Sequence, residues 1–521
     1  MTPSRADKVS ERVVVIGLDM GDGDLIRAFA RQGRLPNFAA LIEQGTWFDL
    51  ETTARVLHTS TWPTFATGVL PGRHGVYYPY QPSPGHQDAQ LIRSDQYGVA
   101  TLWKLADEQG RRCIVYDVPE TFPEVGFGGQ AIFEWGTWAW YGERVSQPVD
   151  LLRGLRRRFG TYPLKMEAKR LGARFPDPVL LERRLLRSIE HKRASFEWLL
   201  GTAGWDLAIT VFGETHPAGH YLWPRGVIGY SDRYDAGFDA LRRVYVEIDR
   251  ALGSIRTALP AGVSLIVVSG DGVTANNCGW HLVPDVLERL GFLARPVRQD
   301  EHGTSAKRSS LGRVKDMLPR GTRRWIADHL PWWLRDRIGA RMRSAQIDWS
   351  RTRAFALPTD LEGCIRINLQ GREPHGIVAP AEYAALCRDI AAGLRELVNP
   401  ATGASAVRQV WIRDEVFAGP AREYLPDIMV AWNNEAPIHA LSSPRFDTVE
   451  LESPDPRTGT HSWSGFCLAQ GPRFPCGVAT VGRLQDVAPT VLDLMGAKAG
   501  GMDGMAWPMP LEPVGATQRS G

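Results

Sequence analysis

Asp19, His58, His216, His220, Asp271 and His461 are the side chains in this sequence best suited to hold a divalent cation. Imidazole and carboxylate are common ligands of zinc and manganese. His216 and His220 form an H-x-x-x-H pair, a spacing that puts two imidazoles on one side of a helical turn. Pro217 and Gly219 favour a loop there instead, which can still converge two ligands. Such a pair in isolation is more often structural, so the weight comes from the set. Asp19, the His58–Thr61 turn, the His216/His220 pair and Asp271 each follow a predicted strand or precede a helix, and His461 precedes a late strand.

The stretch Arg55–Gly75, RVLHTSTWPTFATGVLPGRHG, adds a second kind of chemistry. Thr59, Ser60 and Thr61 are natural helix N-caps, and Pro63 suits a first helical turn. A helix N-terminus with free N–H groups favours an anion, so this turn is a candidate phosphate or sulfate cradle. Trp62, Tyr77, Tyr78, Tyr80 and Trp223 lie near these loops as candidate pocket walls, although large aromatics more often serve packing.

These positions need a scaffold that gathers them. Val13–Leu18, Asp206–Phe212 and Val263–Ser269 are continuous apolar, β-branched runs of the kind that form buried parallel strands. They end in Asp19, in the stretch leading to His216, and in Gly270-Asp271. Open α/β sheets bind ligands at these carboxyl ends. Amphipathic stretches at Glu182–Leu200, Tyr234–Leu252, His281–Leu290 and Ala381–Val398 alternate with the strands, and Asp486–Met495 is a closing helix. Further strands are expected at Arg112–Val118, Cys364–Leu369, Val407–Arg413, Pro426–Trp432 and Gly465–Ala469. The rhythm predicts an α/β fold with a sheet wrapped by helices. Residues 1–295 and 352–510 are assigned to one core, 296–351 to a basic, Trp-rich helical cap insertion, and 511–521 to a loose tail.

Composition narrows the classes. The 521 residues carry a net charge of +3, too balanced for a dedicated nucleic-acid binder. The six cysteines are scattered with no C-x-x-C pair, which suits a reducing compartment. No apolar run is long enough to span a membrane, and the N-terminal apolar run is a strand rather than a signal peptide. A cytoplasmic protein is expected.

The ordered set of motifs resembles the alkaline phosphatase superfamily, specifically its type I phosphodiesterase/nucleotide pyrophosphatase branch. The matching pieces are VVVIGLDMGDGD, LPNFAALIEQG, STWPTFATGVLPGRHGVY, VFGETHPAGHYLW, LIVVSGDG, INLQGREPHGIV, LPDIMVAW, GTHSWSGFCLAQGP and DVAPTVLDLMG. The resemblance implies a central mixed, mostly parallel sheet with helices on both faces. It also implies two metal ions, usually zinc, and phosphate-ester hydrolysis through a Ser or Thr at a helix N-terminus. Asp19 matches the first-strand metal ligand, His220 the histidine of D-x-x-x-H, and His461 the late G-x-H ligand. Three positions depart. His216 replaces the aspartate of D-x-x-x-H, and Gly270-Asp271 stand where Asp-His is expected. Counting ten residues back from Gly68, to the usual nucleophile position, reaches His58, with Thr59 beside it.

The altered set divides into two expected pockets. His216, His220 and His461 form a three-imidazole site suited to zinc with an open position. Asp19 and Asp271, with His58, form the other. Divalent metal is expected at one or two ions per chain, zinc first, then manganese or iron. Thr59 is the leading nucleophile, His58 and metal-activated water the alternatives, with Ser60 and Thr61 as substrate contacts. The expected substrate is a small phosphate ester, with no nucleic-acid polymer as partner; a homodimer is among the expected assemblies. The competing classes are a catalytically silent ligand-binding member of the fold, a phosphonate-transfer activity on the same site, and a surface-bound scaffold using the basic insertion. The sulfatase Cys/Ser-x-Pro-x-Arg motif is absent from the nucleophile region.

Overall fold

The computed structural model describes residues 10–86, 89–92, 98–136, 144–164, 177–202, 204–296, 346–359 and 361–508. Nearly all of the expected cap insertion and the C-terminal tail lie outside the described residues.

Val13–Leu18 sits at the centre of a nine-stranded sheet. The order is Val478–Arg483, Thr46–Glu51, Gly465–Gln470, Ser264–Ser269, Val13–Leu18, Leu207–Phe212, Cys113–Tyr116, Gln130–Phe133, Val145–Gln147. Five of its eight pairings are parallel, so the sheet is mixed and mostly parallel, as expected. Strand periodicity sends alternate side chains to opposite faces. Val14, Ile16 and Leu18 pack into one apolar cluster with helices Gly23–Arg31, Pro36–Gln44, Pro178–Thr202 and Asp239–Ala258. Val13 and Val15 pack into another with helices Thr61–Thr67, Leu102–Glu108 and Val487–Leu494. Both faces are therefore dry, which is why the central strands read as unbroken apolar runs.

Three expected strands build a sheet of their own instead of widening the central one. Ala354–Ala356, Gly363–Ile367, Ile428–Trp432 and Val407–Ile412 pair antiparallel, in that order. Helix Tyr383–Arg395 packs on them through Leu386, Cys387, Ile390 and Leu394, forming a third cluster. Buried charges stitch this unit. Arg372 donates to both Asp427 oxygens at 2.8 and 2.6 Å, and Asp427 Oδ2 also accepts the Ile367 N–H at 2.7 Å. Burial opposes the Asp427 charge, but Arg372 outweighs it and holds the carboxyl down to about 2. No helix among the described residues is long and apolar enough to cross a membrane.

Candidate active site

The central sheet delivers the site from the carboxyl ends of four parallel strands. Asp19 follows Val13–Leu18, Glu120 comes shortly after Cys113–Tyr116, His216 follows Leu207–Phe212, and Asp271 follows Ser264–Ser269. The Ser269 hydroxyl accepts the Gly21 N–H at 3.0 Å and lies 2.6 Å from the Leu18 carbonyl, tying two of these exits together. Met20 and Glu120 both take left-handed backbone, φ 60° and 58°, on either side of the site. Strained non-glycine backbone of this kind gathers at functional sites. The Met20 backbone N–H donates to the Asp271 carboxyl.

His216 and His220 lie on a helix, Thr215–Leu222, and not in the loop expected from Pro217 and Gly219. Pro217 falls in the first turn, where its missing N–H costs no helical hydrogen bond. The i,i+4 spacing then brings the two rings to 4.6 Å, with Nε2 to Nε2 at 2.8 Å. His461 was expected just before a strand; it lies within one, Gly459–Ser462, paired antiparallel with Gly272–Ala275 so that it faces Val273. That ribbon carries His461 to within 4.9 Å of the His216 ring and 5.1 Å of the His220 ring. It also presses against the helix: a Cβ on Gly459 would sit 2.2 Å from the Gly219 carbonyl oxygen, so only glycine fits.

One ligand atom from each of the three histidines lies within 4.8 Å of the others. Each ring is held from behind. His216 Nδ1 bonds Asp19 Oδ2 at 2.8 Å, His461 Nδ1 bonds Asp271 Oδ2 at 2.5 Å, and His220 Nδ1 bonds the Gly459 carbonyl at 2.8 Å. An acceptor on one ring nitrogen leaves the other nitrogen to serve as a ligand, the usual outer arrangement of metal-binding histidines. Burial, with the charge of Arg457, pushes His220 well below its ordinary value, so it stays in the neutral, ligating form.

Asp19 and Asp271 hydrogen-bond to the histidines and also share a cavity wall with His58. Asp19 Oδ1 accepts the Trp62 indole N–H at 2.8 Å while Oδ2 faces His216. Burial pushes Asp19 up, but His216 and the two hydrogen bonds outweigh it and hold the carboxyl below its usual range. Burial and the Asp19 charge push Asp271 up to about 8. Gly270 leaves room for a neighbour: a Cβ there would lie 2.7 Å from Thr61 Cβ, so Thr61 fills the space a longer side chain would need.

The His58–Thr61 turn adopts a 3-10 conformation over His58–Ser60, leading into helix Thr61–Thr67. The expected hydroxyl caps do not form. Thr59 Oγ1 donates to the Tyr77 carbonyl, and Ser60 Oγ donates to the Leu57 carbonyl at 2.6 Å. His58 Nδ1 bonds Glu362 Oε1 at 2.6 Å, and its ring lies 4.3 Å from that of His461.

These groups surround a cavity of about 40 Å³ walled by Asp19, His58, Thr59, Thr61, Trp62, Tyr78, Glu120, His216, Asp271, Arg457 and His461. His58 and His461 also wall an outer cleft of about 730 Å³, which includes Arg55, Glu362, Arg408, Trp432, Asn434 and Trp463. Of the aromatics singled out from sequence, Trp62 and Tyr78 reach the cavity, whereas Tyr77 and Trp223 are buried in apolar clusters. Among the wall residues not foreseen are Glu120, Arg457 and Glu362. Glu120 could have been flagged by its place after a sheet strand; Arg457 and Glu362 carry no local signal. Burial, then the Asp19 charge, raises Glu120 well above the carboxylate range, so it holds its proton.

Residues 13–464 match the family model for type I phosphodiesterase/nucleotide pyrophosphatase. The chain belongs to this family. No curated protein sequence matches it significantly. Solved structures with a similar fold include murine ectonucleotide pyrophosphatase/phosphodiesterase 5, at 13% identity and TM-score 0.48 over 95% of this chain and 97% of that one. Phosphonoacetate hydrolase from Sinorhizobium meliloti, solved with phosphonoformate, aligns at 14% identity and TM-score 0.47 over 94% and 96%. The family match spans most of the mixed, mostly parallel sheet and the segments that carry Asp19, His216, Asp271 and His461.

Proposed function

We propose that the chain is a metal-dependent hydrolase of small phosphate esters. The observation that carries this reading is the convergence of His216, His220 and His461, each with one ring nitrogen on an acceptor, beside a cavity that His216 and His461 wall. The donor set fits a divalent ion: three imidazoles with an open face are a catalytic zinc arrangement. Zinc is favoured over manganese or iron because nitrogen donors dominate the set. The 2.8 Å approach of the His216 and His220 Nε2 atoms places both where they would hold one ion together with His461. A divalent ion there supplies Lewis-acid polarisation of a phosphoryl oxygen and neutralises its charge.

The chain's own residues do the rest. Asp19 and Asp271 fix the orientation of His216 and His461. Because both carboxylates are so engaged, and Thr61 occupies the space beside Gly270, the donor set supports one ion per chain. Arg457 places a cation on the cavity wall, suited to a second phosphoryl oxygen. The protonated Glu120 offers a hydrogen bond there without adding negative charge. Attack on phosphorus falls to the 58–61 turn, where His58 and the hydroxyls of Thr59 and Thr61 meet the cavity. The organic part of the ester extends into the outer cleft. The six free cysteines accord with a cytoplasmic setting.

The test is hydrolysis of p-nitrophenyl phosphate, bis-p-nitrophenyl phosphate and p-nitrophenyl sulfate by zinc-loaded protein, with metal content measured in parallel. Phosphate-ester turnover that disappears on chelation and returns with zinc is expected, with the sulfate inert. Stoichiometric zinc with no turnover of any ester would instead mark a ligand-binding protein.

A further inference from the structure

We infer that His58 Nε2 is the phosphoryl acceptor of this site and that Glu362 is the residue that positions it; the inference rests on the phosphate-ester hydrolase reading above. Location comes first. His58 and His461 are the two residues that wall both the inner cavity and the outer cleft. A phosphoryl group in the first and its leaving group in the second would place phosphorus beside them. His461 belongs to the metal-type cluster and is held by Asp271, whereas His58 stands outside that cluster.

Orientation comes second. Glu362 Oε1 accepts both the His58 backbone N–H at 3.0 Å and a hydrogen bond from Nδ1 at 2.6 Å. Two bonds to one oxygen fix the ring plane and hold the proton on Nδ1, which makes Nε2 the basic nitrogen of the ring. Glu362 immediately precedes strand Gly363–Ile367, whose far end is anchored by the buried Asp427–Arg372 pair. The second sheet therefore delivers this carboxylate on a rigid edge. Of the neighbouring hydroxyls, Thr59 donates to the Tyr77 carbonyl and Ser60 to the Leu57 carbonyl, while Thr61 walls the inner cavity and is the competing acceptor that the labelling experiment distinguishes.

The step balances without an outside reactant beyond water. The Nε2 lone pair forms an N–P bond as the P–O bond to the leaving group breaks. The departing alkoxide takes a proton from water in the outer cleft, and the carboxylate of Glu362 offsets the positive charge left on the ring. A second water then attacks phosphorus and gives its proton to the hydroxide left by the first, the N–P electron pair returns to Nε2, and phosphate or a phosphomonoester leaves.

Rapid quenching of zinc-loaded protein turning over radiolabelled p-nitrophenyl phosphate tests this. An acid-labile, alkali-stable label on the peptide containing His58 is expected, absent in His58→Asn. His58→Gly should regain turnover with added imidazole. Glu362→Gln should keep its zinc content, thermal midpoint and KM while kcat and labelling rate fall by roughly 10²-fold. An acid-stable label on Thr59, Ser60 or Thr61, or full turnover by His58→Asn, would overturn the assignment to His58. Unchanged kcat and labelling in Glu362→Gln would overturn the role given to Glu362. Zinc bound with no ester turnover at all would instead remove the hydrolase reading beneath it.

Discussion

Two halves of the cavity are built on opposite plans. In one, His216, His220 and His461 each give their outer nitrogen to a fixed acceptor and converge on a common point. In the other, His58 leans on Glu362, and the space beside Gly270 is filled by Thr61. On the proposed reading the first half is a ligand set and the second a single reactive ring with a positioned carboxylate. Carboxylates are present in both, but they act from behind the imidazoles. Moving imidazole to the front and carboxylate to the rear reduces negative charge at the metal and should make it more electrophilic.

The largest effect should come from breaking the first half. His216→Ala or His461→Ala is expected to remove bound zinc and lower kcat/KM by roughly 10³-fold or more, about 4 kcal/mol of transition-state stabilisation. Inductively coupled plasma metal analysis beside kinetics checks it. Metal retained in both variants would dissolve the distinction between the halves.

A buried histidine outside both halves gives a control of similar size. His74 accepts the Val76 N–H at 3.1 Å and pairs with Thr64 at 3.1 Å, and burial pushes it down to about 3. The unfolded chain gains a proton below about 6.5, whereas the folded one does so only near 3. Its contribution is therefore fully present above pH 6.5 and lost as pH falls towards 3, on the order of 5 kcal/mol. Denaturant titrations across that range should show a stability slope that His74→Gln flattens, with zinc content unchanged at neutral pH. An unaltered slope would refute the assignment.

The carboxylates should give smaller changes. Asp271→Asn is expected to weaken zinc affinity roughly 10- to 100-fold while leaving stoichiometry intact at saturating metal, as measured by competition with a chromophoric chelator. Complete loss of the ion would make Asp271 a direct ligand. Smallest of all, Trp463→Ala or Arg408→Ala in the outer cleft, where the guanidinium stacks 4.0 Å from the indole centroid, should raise KM by about tenfold or less with kcat little changed. A fall in kcat alone would place these residues in the chemistry.

The difference between the halves also governs what was readable in the sequence. Asp19, His216 and Asp271 sit just beyond strands buried on both faces, so their apolar runs announced the sheet and its active end. His461 was readable as a motif but not as part of a strand, because a four-residue ribbon has too little periodicity to declare itself. Pro217 and Gly219 argued for a loop because propensity was weighed without position; a first-turn proline and a tightly packed glycine suit the helix they occupy. The antiparallel sheet escaped notice as a separate unit since its strands resemble those of the central one. Glu362 was therefore invisible: its partner, His58, lies 304 residues away. The hydroxyl run at 59–61 looked like a cap, yet nearby carbonyls claimed Thr59 and Ser60 once the chain was folded.

The most direct measurement is anomalous diffraction at the zinc edge from crystals grown with excess zinc. One strong peak about 2.0–2.1 Å from a nitrogen of each of His216, His220 and His461, with Asp19 and Asp271 behind the rings, is the predicted result. No peak between those rings at saturating zinc, with His216 and His220 still bonded to each other, would contradict the account at its root.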